Sequence, residues 1–104
     1  MAAGTPKGYW IGRVDVADDD AYGRYVAANG PVFARYGGRF LVRGGRFENP
    51  EGTSRTRNVV LEFDSYERAL ECYHSQEYQA IINLRTDVSQ ADMIVIEGWE
   101  PPRT

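Results

Sequence analysis

The chain has 104 residues, of which 42% are hydrophobic, 26% charged and 12% aromatic, a globular composition that excludes a disordered, collagen-like or disulfide-scaffold protein. Fifteen acidic residues against twelve basic ones give a net charge of −3. Because no overall positive field attracts polyanions, we expect neither nucleic acid nor a membrane surface as a partner.

The first half of the sequence predicts a strand, a helix and a second strand. Residues 8–16 are rich in aromatic and β-branched types, which favour a strand. Asp18–Asp20 then offer an N-cap and negative charge to a helix that ends at the glycine pair 37–38. We expect a kink or a short break at Pro31, because proline lacks an amide donor. Residues 39–43 predict the second strand.

The second half repeats this alternation. Residues 58–63 predict the third strand, and Asp64 and Ser65 offer N-caps to a second helix. Another helical stretch leads to residues 91–99, the predicted fourth strand. The order βαββαβ predicts a ferredoxin-like α+β sandwich, with four antiparallel strands and the helices on one face.

Length and cysteine content bound the domain count and the compartment. A chain of this length forms one domain, which we assign to residues 1–104 with its core at about 8–98. The single cysteine, Cys72, suits a reducing compartment. No apolar run reaches the length of a signal peptide or a membrane span, so the predicted location is cytoplasmic.

Alternation along the strands predicts two sheet faces of different character. The first is wholly apolar and suits the helices: Val14, Val16, Val59, Leu61, Phe63, Ile94 and Ile96. The second carries three charges among apolar residues: Tyr9, Ile11, Arg13, Val60, Glu62, Met93, Val95, Glu97 and Trp99. Because this second face is too apolar to lie bare in water, we expect a second copy of the sheet to cover it. The result would be a homodimer enclosing a partly polar cavity.

Several short blocks carry a family resemblance. They include Tyr9-Trp10-Ile11, the string GGRFLVRGG at 37–45, Glu62-Phe63, Glu77-Tyr78 and Glu97-Gly98. Together they resemble the family catalogued as domain of unknown function 1330, over about residues 8–98. The resemblance implies a dimeric α/β barrel, whose relatives include cofactor-free monooxygenases, muconolactone isomerases and haem-handling proteins. The family's own activity is undefined, so the resemblance implies no catalytic residues.

Five residues form the candidate site. Arg13 and Arg43 have the planar donors that clamp a carboxylate or an enolate, and Arg43 precedes glycines whose backbone allows close approach. Trp99 joins them as a substrate-binding candidate. Glu62 and Glu97 are the catalytic candidates, since desolvation inside a barrel raises a carboxyl pKa and suits it to proton transfer. The alternative is that these arginines and glutamates pair with one another structurally.

The functional prediction follows from this site. We expect an enzyme without a cofactor that acts on a small anionic or enolisable molecule in the barrel cavity. The alternatives are a non-catalytic module that binds a small molecule and a purely structural homodimer, so whether the protein is an enzyme stays open. Six arginines against two glutamates between residues 35 and 57 also favour a small anionic ligand.

The remaining reactive side chains predict no further chemistry. Cys72 and His74 are two positions apart on a helix, so their side chains diverge and do not form a nucleophilic pair. We expect His74 to be a partly buried structural residue. One histidine and one cysteine do not make a metal site, so neither a metal nor a cofactor is predicted.

Overall fold

A computed structural model describes residues 5–102 of the protein. Its elements follow the predicted order, and the helical stretch before the last strand consists of two short helices. The strands are β1 (Gly8–Val16), β2 (Arg39–Arg43), β3 (Arg57–Phe63) and β4 (Ser89–Glu97). The helices are α1 (Asp19–Arg35), α2 (Tyr66–His74), α3 (Gln76–Ile81) and α4 (Asn83–Thr86).

The four strands form one antiparallel sheet in the order β2-β3-β1-β4. The helices pack on one face of this sheet, which confirms the predicted ferredoxin-like α+β fold. We call the opposite side of the sheet the outer face. Between residues 5 and 102, no helix is long and apolar enough to cross a membrane.

The helix ends form where the side chains can cap them. The Asp18 carboxylate accepts a hydrogen bond from the Ala21 amide at 3.0 Å, and the Ser65 hydroxyl accepts one from the Arg68 amide at 3.0 Å. Helix α1 continues past Pro31, so the predicted short break is wrong. Burial of the flanking residues 29 and 33 holds the helix together across the missing amide donor.

Trp10 lies at the centre of the core and is 1% exposed. Its indole Nε1 donates to the Ala69 carbonyl at 2.8 Å, which ties β1 to α2. Four aromatic rings pack around it with centroids 5.0 to 5.6 Å away: Phe33, Phe63, Tyr73 and Tyr78. Side chains alternate along a strand, so the position of Trp10 under the helices fixes which residues of β1 face the helices and which lie on the outer face.

The predicted face of β4 is wrong. Ile94 pairs with Ile11 and Ile96 with Tyr9, so both isoleucines lie on the outer face and are 52% and 44% exposed. Met93 and Val95 face the helices instead. All four of these neighbours are apolar, so their pattern has no period of two, and only pairing with β1 decides the face.

An apolar row crosses the outer face. Through strand pairing it runs over all four strands in the order Val42, Val60, Ile11 and Ile94. Residues 44–56, between β2 and β3, form an arm without helix or strand. Arg55 ties the end of this arm to the sheet through ion pairs of 2.8 Å with Asp15 and Asp92.

Candidate functional site

The five residues predicted for the site do not form one cluster. Arg13 and Glu62 lie on the outer face. Arg43 and Glu97 pair with Val59 and Gly8, which places them on the side that carries the helices. Trp99 follows β4 and is 80% exposed.

A β-bulge explains the unexpected position of Arg43. The register between β2 and β3 shifts between Phe40 and Val42, so Phe40 pairs with Leu61 whereas Val42 pairs with Val60. One extra residue in a strand reverses the face of every residue after it. Without the bulge, alternation from Phe40 would put Arg43 on the outer face, whereas with it Arg43 lies on the face that carries the helices.

Glu62 is an ionised partner in a local network. Arg39 Nη2 lies 3.0 Å from Glu62 Oε1, and the Tyr9 hydroxyl donates to Oε2 at 3.0 Å. The hydrogen bonds from Arg39 and Tyr9 lower the pKa of Glu62, so the expected raised pKa is wrong. An ion pair does form at Glu62, but with Arg39 instead of Arg13 or Arg43.

Replacing Glu62 by Gln is expected to remove a pH-dependent part of the stability. The folded-state pKa lies below the ordinary 4.5, so the contribution of Glu62 is present above that pH and is lost as pH falls through the folded-state pKa. Its size should stay under about 1 kcal/mol, because the pair is partly exposed. Urea unfolding of both proteins at neutral pH and below 4.5 measures the difference. Glu48→Gln, in the exposed arm, is the control; a difference between wild type and Glu62→Gln that does not shrink in acid would contradict the assignment.

A narrow cleft separates α1 from the sheet. It encloses about 30 Å³, room for about two water molecules, and it opens towards Arg43, the exposed member of its lining. Its walls include Tyr22, Tyr25 and Asn29 from α1. The other lining residues come from the sheet, from the end of α1 and from α4: Trp10, Gly12, Val14, Val26, Phe33, Phe40, Arg57, Val59, Leu61, Arg85 and Met93.

Three arginines line this cleft without a counter-charge. Arg43, Arg57 and Arg85 are all part of its lining, which includes neither a carboxylate nor a histidine within residues 5–102. None of the three takes part in an ion pair between the residues that the structure describes. Arg85 is 6% exposed. Since a buried charge is costly unless it is paired, this cleft is suited to an anion.

The guanidinium group of Arg57 packs against the backbone of Gly44. Gly44 has a positive φ of 68°, and a Cβ there would lie 2.6 Å from Arg57 Nη1. The close approach expected beside the glycines at 44 and 45 is therefore made by Arg57. Its guanidinium lies 5.7 Å from the ring centre of Tyr22, and its buried Nε lacks a hydrogen-bond partner among the described residues.

Arg85 belongs to a chain of buried polar groups. Its Nε donates to the Tyr78 hydroxyl at 3.4 Å, and the hydroxyls of Tyr78 and Tyr25 are 2.8 Å apart. Burial raises the pKa of Tyr25 and of Tyr22, so both phenols are neutral hydrogen-bonding groups at physiological pH. The cleft can therefore bind an anion and stabilise developing negative charge, but its lining supplies no strong base.

The sequence held only partial signals for these residues. Arg57 is one of the six arginines between residues 35 and 57, and Gly12 interrupts β1 on the side that faces the cleft. A glycine inside a strand often marks a close approach by a ligand or backbone. Arg85 is one of the residues that carry the family resemblance, but no pattern in the sequence assigns Asn29 or Arg85 to the site, because their role depends on which side of a helix meets the sheet.

Cys72 and His74 lie outside the cleft lining. Burial raises the pKa of the Cys72 thiol to about 12, so the thiol stays protonated and unreactive. His74 is exposed, which contradicts the expected partial burial, and its ring packs edge-on against Tyr73 at 5.3 Å. Within residues 5–102, no three acidic, histidine or cysteine side chains converge as metal ligands do.

Comparison with known proteins identifies the family and the fold of the chain. A family model described as "Domain of unknown function (DUF1330)" matches residues 7–99. A protein of unknown function from Rhodopseudomonas palustris is similar in structure, with a TM-score of 0.73 and 18% identity over 92% of this chain and 85% of that one. No curated protein matches the chain in sequence.

Two further structural neighbours differ in how much is described of their activity. SnoaB, a cofactor-independent oxygenase from Streptomyces nogalater, gives a TM-score of 0.63 at 11% identity, over 93% of this chain and 97% of that one. A conserved protein of unknown function from Bacteroides thetaiotaomicron, described as a possible oxidoreductase, gives a TM-score of 0.53 at 9% identity, over 89% of this chain and 98% of that one. At such low identities the likeness shows a shared dimeric α/β-barrel type of fold and no shared activity.

Proposed function

Because the chain belongs to the family described as Domain of unknown function (DUF1330), whose name assigns no activity, we propose a function from the cleft itself. The cleft between α1 and the sheet binds a small organic anion. Arg57 and Arg85 are its binding groups, and Arg43 stands at the opening. Of the residues predicted for the site, this proposal keeps Arg43 and leaves Arg13, Glu62, Glu97 and Trp99 outside.

One observation carries the proposal: two guanidinium groups share a mostly buried cleft with no carboxylate to balance them. Arg57 and Arg85 both line this cleft, and each guanidinium lies beside a tyrosine ring of α1, Arg57 at 5.7 Å from Tyr22 and Arg85 at 5.8 Å from Tyr25. Arginine stays protonated at every physiological pH, so the charges cannot be relieved by deprotonation. A bound carboxylate would balance them and supply acceptors for their free N–H groups.

The same arrangement supports catalysis on an enolisable molecule. Loss of a proton next to a carbonyl places negative charge on the carbonyl oxygen, and fixed guanidinium donors stabilise such a charge where water is excluded. The proton itself would pass to a solvent base, because the lining contains no carboxylate or histidine within residues 5–102. Under this proposal the protein is an enzyme that lowers the cost of enolate formation.

Replacing Arg57 by Gln is expected to weaken pyruvate binding by about tenfold or more, since a charge-assisted hydrogen bond is lost. Pyruvate joins a carboxylate to an enolisable methyl group and tests both parts of the proposal. Calorimetric titration measures its binding. In D₂O, proton NMR measures exchange of the methyl protons, each of which leaves to solvent and is replaced by a deuteron.

The matched control is Arg24→Gln, which removes an exposed arginine of α1 outside the cleft lining and should change neither quantity. Faster exchange with wild-type protein, lost in Arg57→Gln, supports an enzyme. Binding without faster exchange favours the alternative, a non-catalytic binding module. Equal pyruvate affinity of wild type and Arg57→Gln would contradict the assignment of Arg57.

We also propose that the outer face forms a homodimer. In the apolar row, Val42 and Ile94 are 42% and 52% exposed, and Val60 and Ile11 are partly exposed. The accessible surface is 6948 Å², against about 5,900 Å² for a monomer of this mass. The radius of gyration is 14.9 Å, against about 13 Å for a compact chain of this length. The surplus of about 1,000 Å² is close to one partner's share of a standard interface, about 800 Å².

A further inference from the structure

We propose that Asn29 selects an anion that also carries a hydroxyl group next to its carboxylate, a 2-hydroxy acid. This inference rests on the proposed binding of a small organic anion and names its chemical class. Asn29 lies in the middle of α1 and is 4% exposed, and its side chain is part of the cleft lining. Its unpaired side-chain oxygen indicates that the ligand carries a hydrogen-bond donor in addition to its negative charge.

The side-chain oxygen of Asn29 is an acceptor without a donor. Asn29 Oδ1 is buried and has no hydrogen-bond partner among residues 5–102. The other buried side-chain atom without a partner there is Arg57 Nε, a donor in the same cleft. A buried polar atom left unpaired has lost its hydrogen bonds to water and gained none in exchange. One unpaired acceptor and one unpaired donor among the residues of one cleft point to a single ligand that pairs with both.

A plain carboxylate satisfies only one of the two. With the Asn29 amide in its present orientation, the carboxylate oxygens, which are acceptors, pair with Arg57 but face the Asn29 oxygen without a proton between them. A hydroxyl on the neighbouring carbon supplies the missing donor and keeps the acid small. Because the enclosed space of about 30 Å³ has room for about two water-sized groups, only the hydroxyl and one carboxylate oxygen need to enter it, and the rest of the acid lies towards Arg43.

Two pairs of acids that differ only in the hydroxyl test this inference: lactate with propionate, and mandelate with phenylacetate. We expect wild-type protein to bind the hydroxylated member of each pair about tenfold or more tightly, because a site built to pair with a hydroxyl discriminates against the analogue without it. Pyruvate, which also lacks the hydroxyl donor, should bind as propionate does. Calorimetric titration gives all affinities.

Asn29→Leu is the matched variant. It removes the unpaired oxygen at similar volume, so it should fold at least as stably as wild type and bind both members of a pair with the affinity of the deoxy acid. Arg57→Gln should weaken both members equally. A preference that survives Asn29→Leu, or equal affinities in wild type, would overturn the role of Asn29 and leave the anion site standing. If none of the four acids binds wild-type protein, both this inference and the proposed function fail.

Discussion

Ile94→Asp is expected to convert the protein from a dimer into a monomer of 11.7 kDa. Ile94 ends the apolar row of the outer face and is 52% exposed in the single chain. In a dimer it would be covered, and an aspartate there would have to lose its water without gaining a counter-charge, which costs several kcal/mol. In the monomer the same aspartate stays hydrated, so the fold itself should tolerate it.

Light scattering at micromolar concentration measures this change, and circular dichroism shows that the variant stays folded. Leu84→Asp is the matched control, because Leu84 is an exposed apolar residue of α4, on the side of the sheet away from the outer face. It should leave the dimer intact. A wild-type protein that is already monomeric, or an Ile94→Asp variant of unchanged mass, would refute the dimer through this face.

Arg85→Met is expected to keep or raise stability while abolishing the response to an anion. Replacing a buried charge by an apolar side chain of similar volume is often neutral or stabilising, and we expect a gain of up to about 1 kcal/mol in the ligand-free protein. The hydroxyl of Tyr78 keeps its partner Tyr25 at 2.8 Å, so the substitution leaves no new unpaired group. The stabilisation by an anion should be lost because the buried charge of the cleft is gone.

The test is a set of thermal and urea melts of wild type, Arg85→Met and Arg24→Met with and without lactate. Wild type and Arg24→Met should be stabilised by lactate, and Arg85→Met should not. If Arg85→Met loses stability while its response to lactate persists, then the contacts of Arg85 with Tyr25 and Tyr78 are structural, and the anion site must be assigned to other residues.

The sequence by itself determined the order of elements, the helix caps and the class of fold. Asp18 and Ser65 cap their helices as expected, because capping is a local interaction between a side chain and amides three residues away. The limits of the first three strands were also readable to within one residue, since β-branched and aromatic runs end at glycines and acidic residues, whereas β4 begins and ends two residues before the predicted 91–99. A homodimer through one sheet face stays a prediction, made because too many apolar residues of that face lacked cover.

Only the tertiary structure decided which side chains meet in the site. The apolar run 93–96 is compatible with either face of the sheet, and pairing with β1 reversed the predicted choice. One bulge in β2 moved Arg43 from the outer face to the cleft, where Arg57 and Arg85 arrive from β3 and α4. Such a site depends on register and helix rotation, which are set by packing between distant segments, whereas sequence patterns report only on neighbouring residues.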